Sequence, residues 1–148
     1  MKSLWQDDVR SSVLSRVDKV DADAQRQWGT MTPERMLAHL TESMKMCVGE
    51  MTPRPKRVPL RFFPLKQLAI YLMPFPKGLP TAPELVAFSP EAAIEESKDE
   101  LRRLFTLFAG RRGEKSWPNH PAFGTMSAGA WGVLAYRHFD HHLRQFGV

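Results

Sequence analysis

His138 and His142 stand one helical turn apart near the end of the chain, and His39 lies far upstream. A neutral imidazole offers a nitrogen lone pair to a divalent metal and can also carry a proton near neutral pH. Which chemistry is open depends on the face each ring occupies. With about 100° between successive helical residues, His142 and Trp131 fall within about 40° of His138. Ala135, Phe139 and Phe146 continue the same stripe. Arg137, Asp140, His141 and Arg144 share the opposite side, which the pattern predicts to face water. A single histidine on an apolar face is generally a core residue with its nitrogens satisfied. A pair one turn apart doubles that requirement, and one metal ion meets it for both.

The elements that carry these rings can be read from apolar spacing and Gly/Pro punctuation. A first helix is expected over Ser3–Trp28, with Trp5, Val9, Val13, Val17, Val20 and Ala24 on one face and Gly29 as its stop. Thr32-Pro33-Glu34 is a start signal for a second helix reaching about Glu50, because Thr caps free N–H groups and Pro suits the first turn. Ser89-Pro90-Glu91 repeats that signal for a third helix, through Ile94, Leu101, Leu104, Phe105 and Phe108 to just before Gly110. A fourth runs from near Ser127 to about Phe146. Most of the prolines fall in the connection Met51–Ser89, where Arg61–Met73 is expected to form a short helix. No segment alternates like a strand. The fold class is therefore all-α, a four-helix bundle in a single domain, 1–148.

Level matching brings in the third histidine. His39 sits roughly 10 Å along helix two, while His142 and His138 lie roughly 6 and 12 Å back from the end of helix four. The levels agree if these helices are antiparallel. An up-down-down-up bundle, with the long connection crossing between helices two and three, has that property; a simple up-down-up-down bundle does not.

Thr32-Pro33 followed by Met36-Leu37-Ala38-His39-Leu40 resembles the second-helix motif of the DinB-like (DinB/YfiT) metal-binding superfamily. His138-Phe139-Asp140-His141-His142-Leu143-Arg144-Gln145 is similar to its last-helix His-x-x-x-His signature. Asn119-His120-Pro121-Ala122-Phe123-Gly124, Trp131-Gly132 and Gln145-Phe146-Gly147 narrow the resemblance to a subfamily of small bacterial proteins. The resemblance implies the up-down-down-up bundle and a divalent metal, zinc or nickel, on His39, His138 and His142. Such relatives include thiol S-transferases and isomerases that use bacillithiol or mycothiol, so a low-molecular-weight thiol or a hydrolysable small molecule is an implied substrate. Many of those transferases carry Arg-Gly after the His-His pair where Leu143-Arg144 stands here, and no second domain is present to hold a bulky thiol.

Gln145 shares the face of His138 and His142 and could orient a ligand from behind; its other reading is a polar residue at a fraying end. His120, before Pro121, is a candidate for the rim of the site or a plain loop histidine. Glu42 and Glu50 read as solubilising helical acids, Cys47 as a small buried hydrophobe, and Met36, Met44, Met46 and Met51 as core filler. The single cysteine excludes an intramolecular disulfide, and a helical His-Glu-x-x-His, a phosphate loop and a Cys-x-x-Cys pair are all absent. The longest apolar run, Leu68–Met73, is far shorter than the roughly 20 residues that span a bilayer. With no leader pattern, the cytoplasm is the expected location.

The formal charge of +5 belongs to one segment. Met51–Pro83 holds six bases and no acid, leaving the rest of the chain nearly neutral, which argues against a nucleic-acid binder with bases spread along a face. The basic segment 51–79 interleaves its charges with Leu60, Phe62, Phe63, Leu65, Leu68, Ile70, Tyr71 and Leu72. Its favoured reading is a crossover that buries its aromatics on the bundle. The alternative is a non-catalytic module docking on an anionic membrane or an acidic partner. Pairing into a homodimer is expected only by analogy with similar bundles.

Overall fold

The computed structural model describes residues 1–77 and 94–148, and among them the protein is all-α with no strand. The elements are α1 (Asp7–Asp18), α2 (Pro33–Val48), the short α3 (Leu65–Gln67), α4 (Ile94–Gly110) and α5 (Ala128–Gln145). A 3-10 turn, Pro59–Arg61, precedes α3, and a π-helical turn, Leu68–Leu72, continues it. The start signal at Ser89-Pro90-Glu91 lies outside the described residues. No helix among them is long and apolar enough to cross a membrane.

Local chemistry sets the boundaries of α2 and α5. Thr32 accepts from the Arg35 N–H, Pro33 opens the first turn, and Gly49 ends α2 in the left-handed region at φ 86°. Ser127 caps α5 by accepting from the Ala130 N–H. α2 is buried over most of its circumference, from Met36, Leu37 and Leu40 through Met44, Cys47 and Val48. It packs chiefly on α4, which offers Leu101, Leu104, Phe105 and Phe108, and also on α5. Phe105 meets Phe139 edge to face at 5.1 Å between ring centroids.

Helix one is shorter than its periodicity predicts. It covers only Asp7–Asp18, with Val9, Val13 and Val17 buried. Val20 is also fully buried, but from the turn that follows. There Asp21 accepts from the Asp23 N–H, a local alternative to continuing the helix. Trp5 precedes the helix and stacks on Phe108 at 4.1 Å, with its Nε1–H donating to the Ala128 carbonyl.

Contacts at the helix ends set the relative directions. The Leu4 N–H donates to the Gly132 carbonyl near the starts of α1 and α5, and Arg16 donates to the Val148 carbonyl beyond their ends. The end of α1 meets the start of α4, where Lys98 donates to the Asp18 carbonyl. The ends of α2 and α4 lie together, where Arg111 donates to the Val48 carbonyl.

The basic connection buries its aromatics only in part, for Tyr71 and Phe75 pack against the core while Phe62 and Phe63 do not. Phe62 is 70% and Phe63 84% exposed. The segment is anchored instead by Ile70, which is fully buried, and by Arg137, which donates to the carbonyls of Ala69, Ile70 and Met73. A run this short has one face to give to the core, and Ile70 takes it.

Gly132 is where the N-terminal segment crosses α5. A Cβ there would stand 2.4 Å from the Ser3 Oγ and from Cδ1 of Trp5. Gly132→Ala is therefore expected to destabilise the protein by about 1–3 kcal/mol through overpacking, despite the better helix propensity of alanine. Urea denaturation checks this; an unchanged or raised midpoint would contradict the close packing of Trp5 on α5.

Candidate metal centre

His39 lies in the second turn of α2, and His138 and His142 lie in the last two turns of α5. The fold brings all three together. The Nε2 atoms of His39 and His138 are 2.9 Å apart, and each pair of rings has its centroids 4.8 Å apart. Interplanar angles of 89°, 71° and 77° make the rings mutually edge-on, so lone pairs rather than ring faces converge. One ligand atom from each histidine lies within 4.8 Å of the other two. His39 and His142 are buried, and His138 is partly so.

Gln145 determines which nitrogen His142 presents. Its Nε2 donates to the Trp28 carbonyl at 2.9 Å, which leaves its Oε1 as an acceptor 2.9 Å from His142 Nδ1. His142 Nδ1 must then carry the proton, and Nε2 holds the free lone pair. Gly29 makes this possible. It lies at φ 78°, and a Cβ on it would stand 2.5 Å from Gln145 Nε2. Gly29 thus lets the backbone close on Gln145; it does not stop a long first helix.

Burial keeps His138 and His142 neutral. It drives His142 down to about 4, opposed by the Gln145 hydrogen bond and aided slightly by His141. Burial also holds His138 well below its ordinary value, with His142 and His39 adding to the effect. Neutral imidazoles are the form that binds metal. A tetrahedral ion at about 2.0–2.1 Å from each nitrogen separates its ligands by about 3.3 Å. That spacing falls inside the observed range, so the three residues could hold a metal ion.

A cavity of about 750 Å³ adjoins the cluster, within the range of small-molecule sites. Its wall includes all three histidines and Trp28, Met44, Phe75, Phe123, Trp131 and Phe139. His120 belongs to this wall as well. It sits in a turn closed by two backbone hydrogen bonds of 2.8 Å with Gly124, and its Nδ1 accepts from the N–H groups of Ala122 and Phe123. Burial lowers His120 to about 3, with Lys56 and Lys66 contributing.

His141 corrects the helical-wheel reading. It does not face open water but is partly buried against Trp28 and Phe75, at 5.9 and 5.7 Å, and it lines the cavity. Asp140 is likewise engaged, with Arg16 at 2.8 Å and Arg144 at 3.1 Å. The wheel assumed one packed face, whereas the Trp28 turn and the end of the connection cover a second. Trp28 and Phe75 had no sequence signal of their own. Cys47 also touches the cavity, but burial pushes its thiol far up, which suits a packing residue.

The family described as "protein of unknown function (DUF1569)" matches residues 3–147. The chain belongs to it. No curated protein and no solved structure matches the chain. The match includes both segments that supply the histidines of this DUF1569 protein.

Two outcomes follow from this geometry. His120 has its folded value depressed below the usual 6.5, so its contribution to stability is complete above that value and lost as pH falls toward about 3. Between pH 7 and 5 the metal-free protein is expected to lose up to about 2 kcal/mol on this account. His120→Asn keeps an acceptor but does not titrate, so its urea midpoint should fall less over the same interval; an equal fall would contradict the assignment. Gln145→Leu is expected to weaken metal binding by about 10–100-fold, measured by chelator competition, with unchanged affinity contradicting the orienting role.

Proposed function

We propose that this DUF1569 protein is a divalent-metal-dependent enzyme of the DinB-like type that acts on a small molecule. The proposed architecture is a four-helix bundle of α1, α2, α4 and α5 in up-down-down-up order. The end-to-end contacts support it: α1 runs beside α5, α2 beside α4, and the two pairs oppose each other. His39, His138 and His142 are the proposed ligands. The observation that carries the reading is the convergence of three buried or half-buried imidazoles from two helices on one cavity.

An all-nitrogen donor set suits zinc or nickel better than magnesium or calcium, which take oxygen ligands. Bound there with an open position, such an ion supplies Lewis acidity toward water or a thiol. The chain's own groups do the remaining work. Gln145 fixes the His142 tautomer, burial keeps His138 and His142 unprotonated, and the apolar wall excludes bulk water from the reacting group. Trp28 Nε1 is buried with no hydrogen-bond partner, which makes it a donor available to a substrate on that wall. A low-molecular-weight thiol is a proposed co-substrate on the strength of the superfamily resemblance alone.

Wild-type protein purified without chelators is expected to contain near-stoichiometric zinc or nickel by mass spectrometry. His138→Ala/His142→Ala should contain little while remaining helical by circular dichroism. A wild-type chain that takes up neither metal when both are offered would overturn the proposal.

A further inference from the structure

We infer that residues 54–73, in the stretch that follows α2, form a docking surface for an anionic lipid bilayer. The outward residues of the short helical stretch are Leu65, Leu68 and Leu72, spaced to share one face, with Ile70 on the other buried in the core. Phe62 and Phe63 stand just ahead of them and Met73 just after, all exposed. Monomeric proteins seldom cluster this much exposed apolar surface in one short segment without a use for it. None of these six side chains lines the cavity beside the histidines; at 70% exposed for Phe62, 84% for Phe63 and 71% for Leu72 they project outward.

The charge around them selects the occupant. Residues 51–77 contain Arg54, Lys56, Arg57, Arg61, Lys66 and Lys77 and no acid. Among the described residues none of these six bases forms an ion pair. The bases of α1 and α4 behave differently, since Arg16, Lys98, Arg102 and Arg103 are all paired with carboxylates. A second copy meeting this face symmetrically would set like charges against each other. An acidic peptide would answer the bases but not the projecting phenylalanines and leucines. A bilayer interface answers both, with apolar tips below the headgroups and bases at the level of anionic phosphates.

The placement also bears on access. The ends of the same segment, at Lys56 and Leu60 and at Phe75 and Pro76, form part of the cavity wall. Docking through the middle of the segment therefore engages the same stretch of chain that supplies part of the cavity wall. The surface stands independently of the metal reading.

Vesicle co-sedimentation of the full-length chain tests the inference. Phosphatidylcholine vesicles are compared with vesicles in which about a third of the lipid is phosphatidylglycerol, at low and high salt. Salt-sensitive binding to the anionic vesicles only is expected. Each base near such a surface contributes about fivefold, so Arg54→Gln/Lys56→Gln/Arg57→Gln should weaken binding on the order of a hundredfold. Phe62→Ser/Phe63→Ser should weaken it at least about tenfold, without change in the circular dichroism spectrum. All of these residues are exposed, so the variants spare the core. Absence of wild-type binding at low salt overturns the inference, as does binding that neither variant weakens. So does a dimer in sedimentation that Phe62→Ser/Phe63→Ser dissociates, or capture by polyglutamate without capture by vesicles.

Discussion

A buried imidazole has two nitrogens, and in an apolar interior each must find a partner or cost free energy. Three such rings meet where α2 faces α5, and much of the surrounding structure serves that requirement. The turn around Trp28 and Gly29 closes on the end of α5 so that the Trp28 carbonyl can hold Gln145, and Gln145 in turn holds His142. His39 and His138 approach each other within hydrogen-bond distance. One proton can serve that contact, so at least one of the two nitrogens offers a lone pair. The cluster is thus polar, desolvated and oriented, a combination that metal coordination satisfies more fully than packing does.

The helices can hold this arrangement because the rest of the core is ordinary. α2 is apolar around most of its surface and is clasped by α4 and α5, while α1 covers them with a row of valines. Arg111 donates to the Val48 carbonyl, an acceptor that the last turn of α2 leaves open, and Arg16 to the Val148 carbonyl just beyond α5. The three clustered histidines come from α2 and α5. The wall of the cavity comes from these two helices together with the turns and connections that flank them.

The connection after α2 has a divided character. Ile70 and the Arg137 contacts tie it to α5, and the Lys56 N–H donates to the Pro121 carbonyl near His120, yet Phe62, Phe63, Leu65, Leu68 and Leu72 face away. A crossover serving only to join two helices would gain by turning those side chains inward, since each fully buried one is worth about 1.5–3 kcal/mol. Their outward placement beside bases that form no ion pair among the described residues is the ground for the proposed docking on a bilayer.

Much of the helical framework was legible in the residues. Thr32-Pro33 and Ser127 start their helices as their capping chemistry requires, and the three- and four-residue apolar spacing of α2, α4 and α5 picks out their buried faces. His138 and His142 share a face because one turn separates them, which is a local property of any helix. What chain order could not reveal was long-range. Level matching brings in His39 only under an antiparallel order of helices two and four, while the clamp from Trp28 on Gln145, the burial of His141 and the exposure of Phe62 and Phe63 depend on residues far apart in the chain. Periodicity describes one helix against an assumed single core face. Here α5 is covered on a second face by Trp28 and Phe75, and the short connection has only one side to bury, so tertiary packing decided which rings entered the site and which reached the surface.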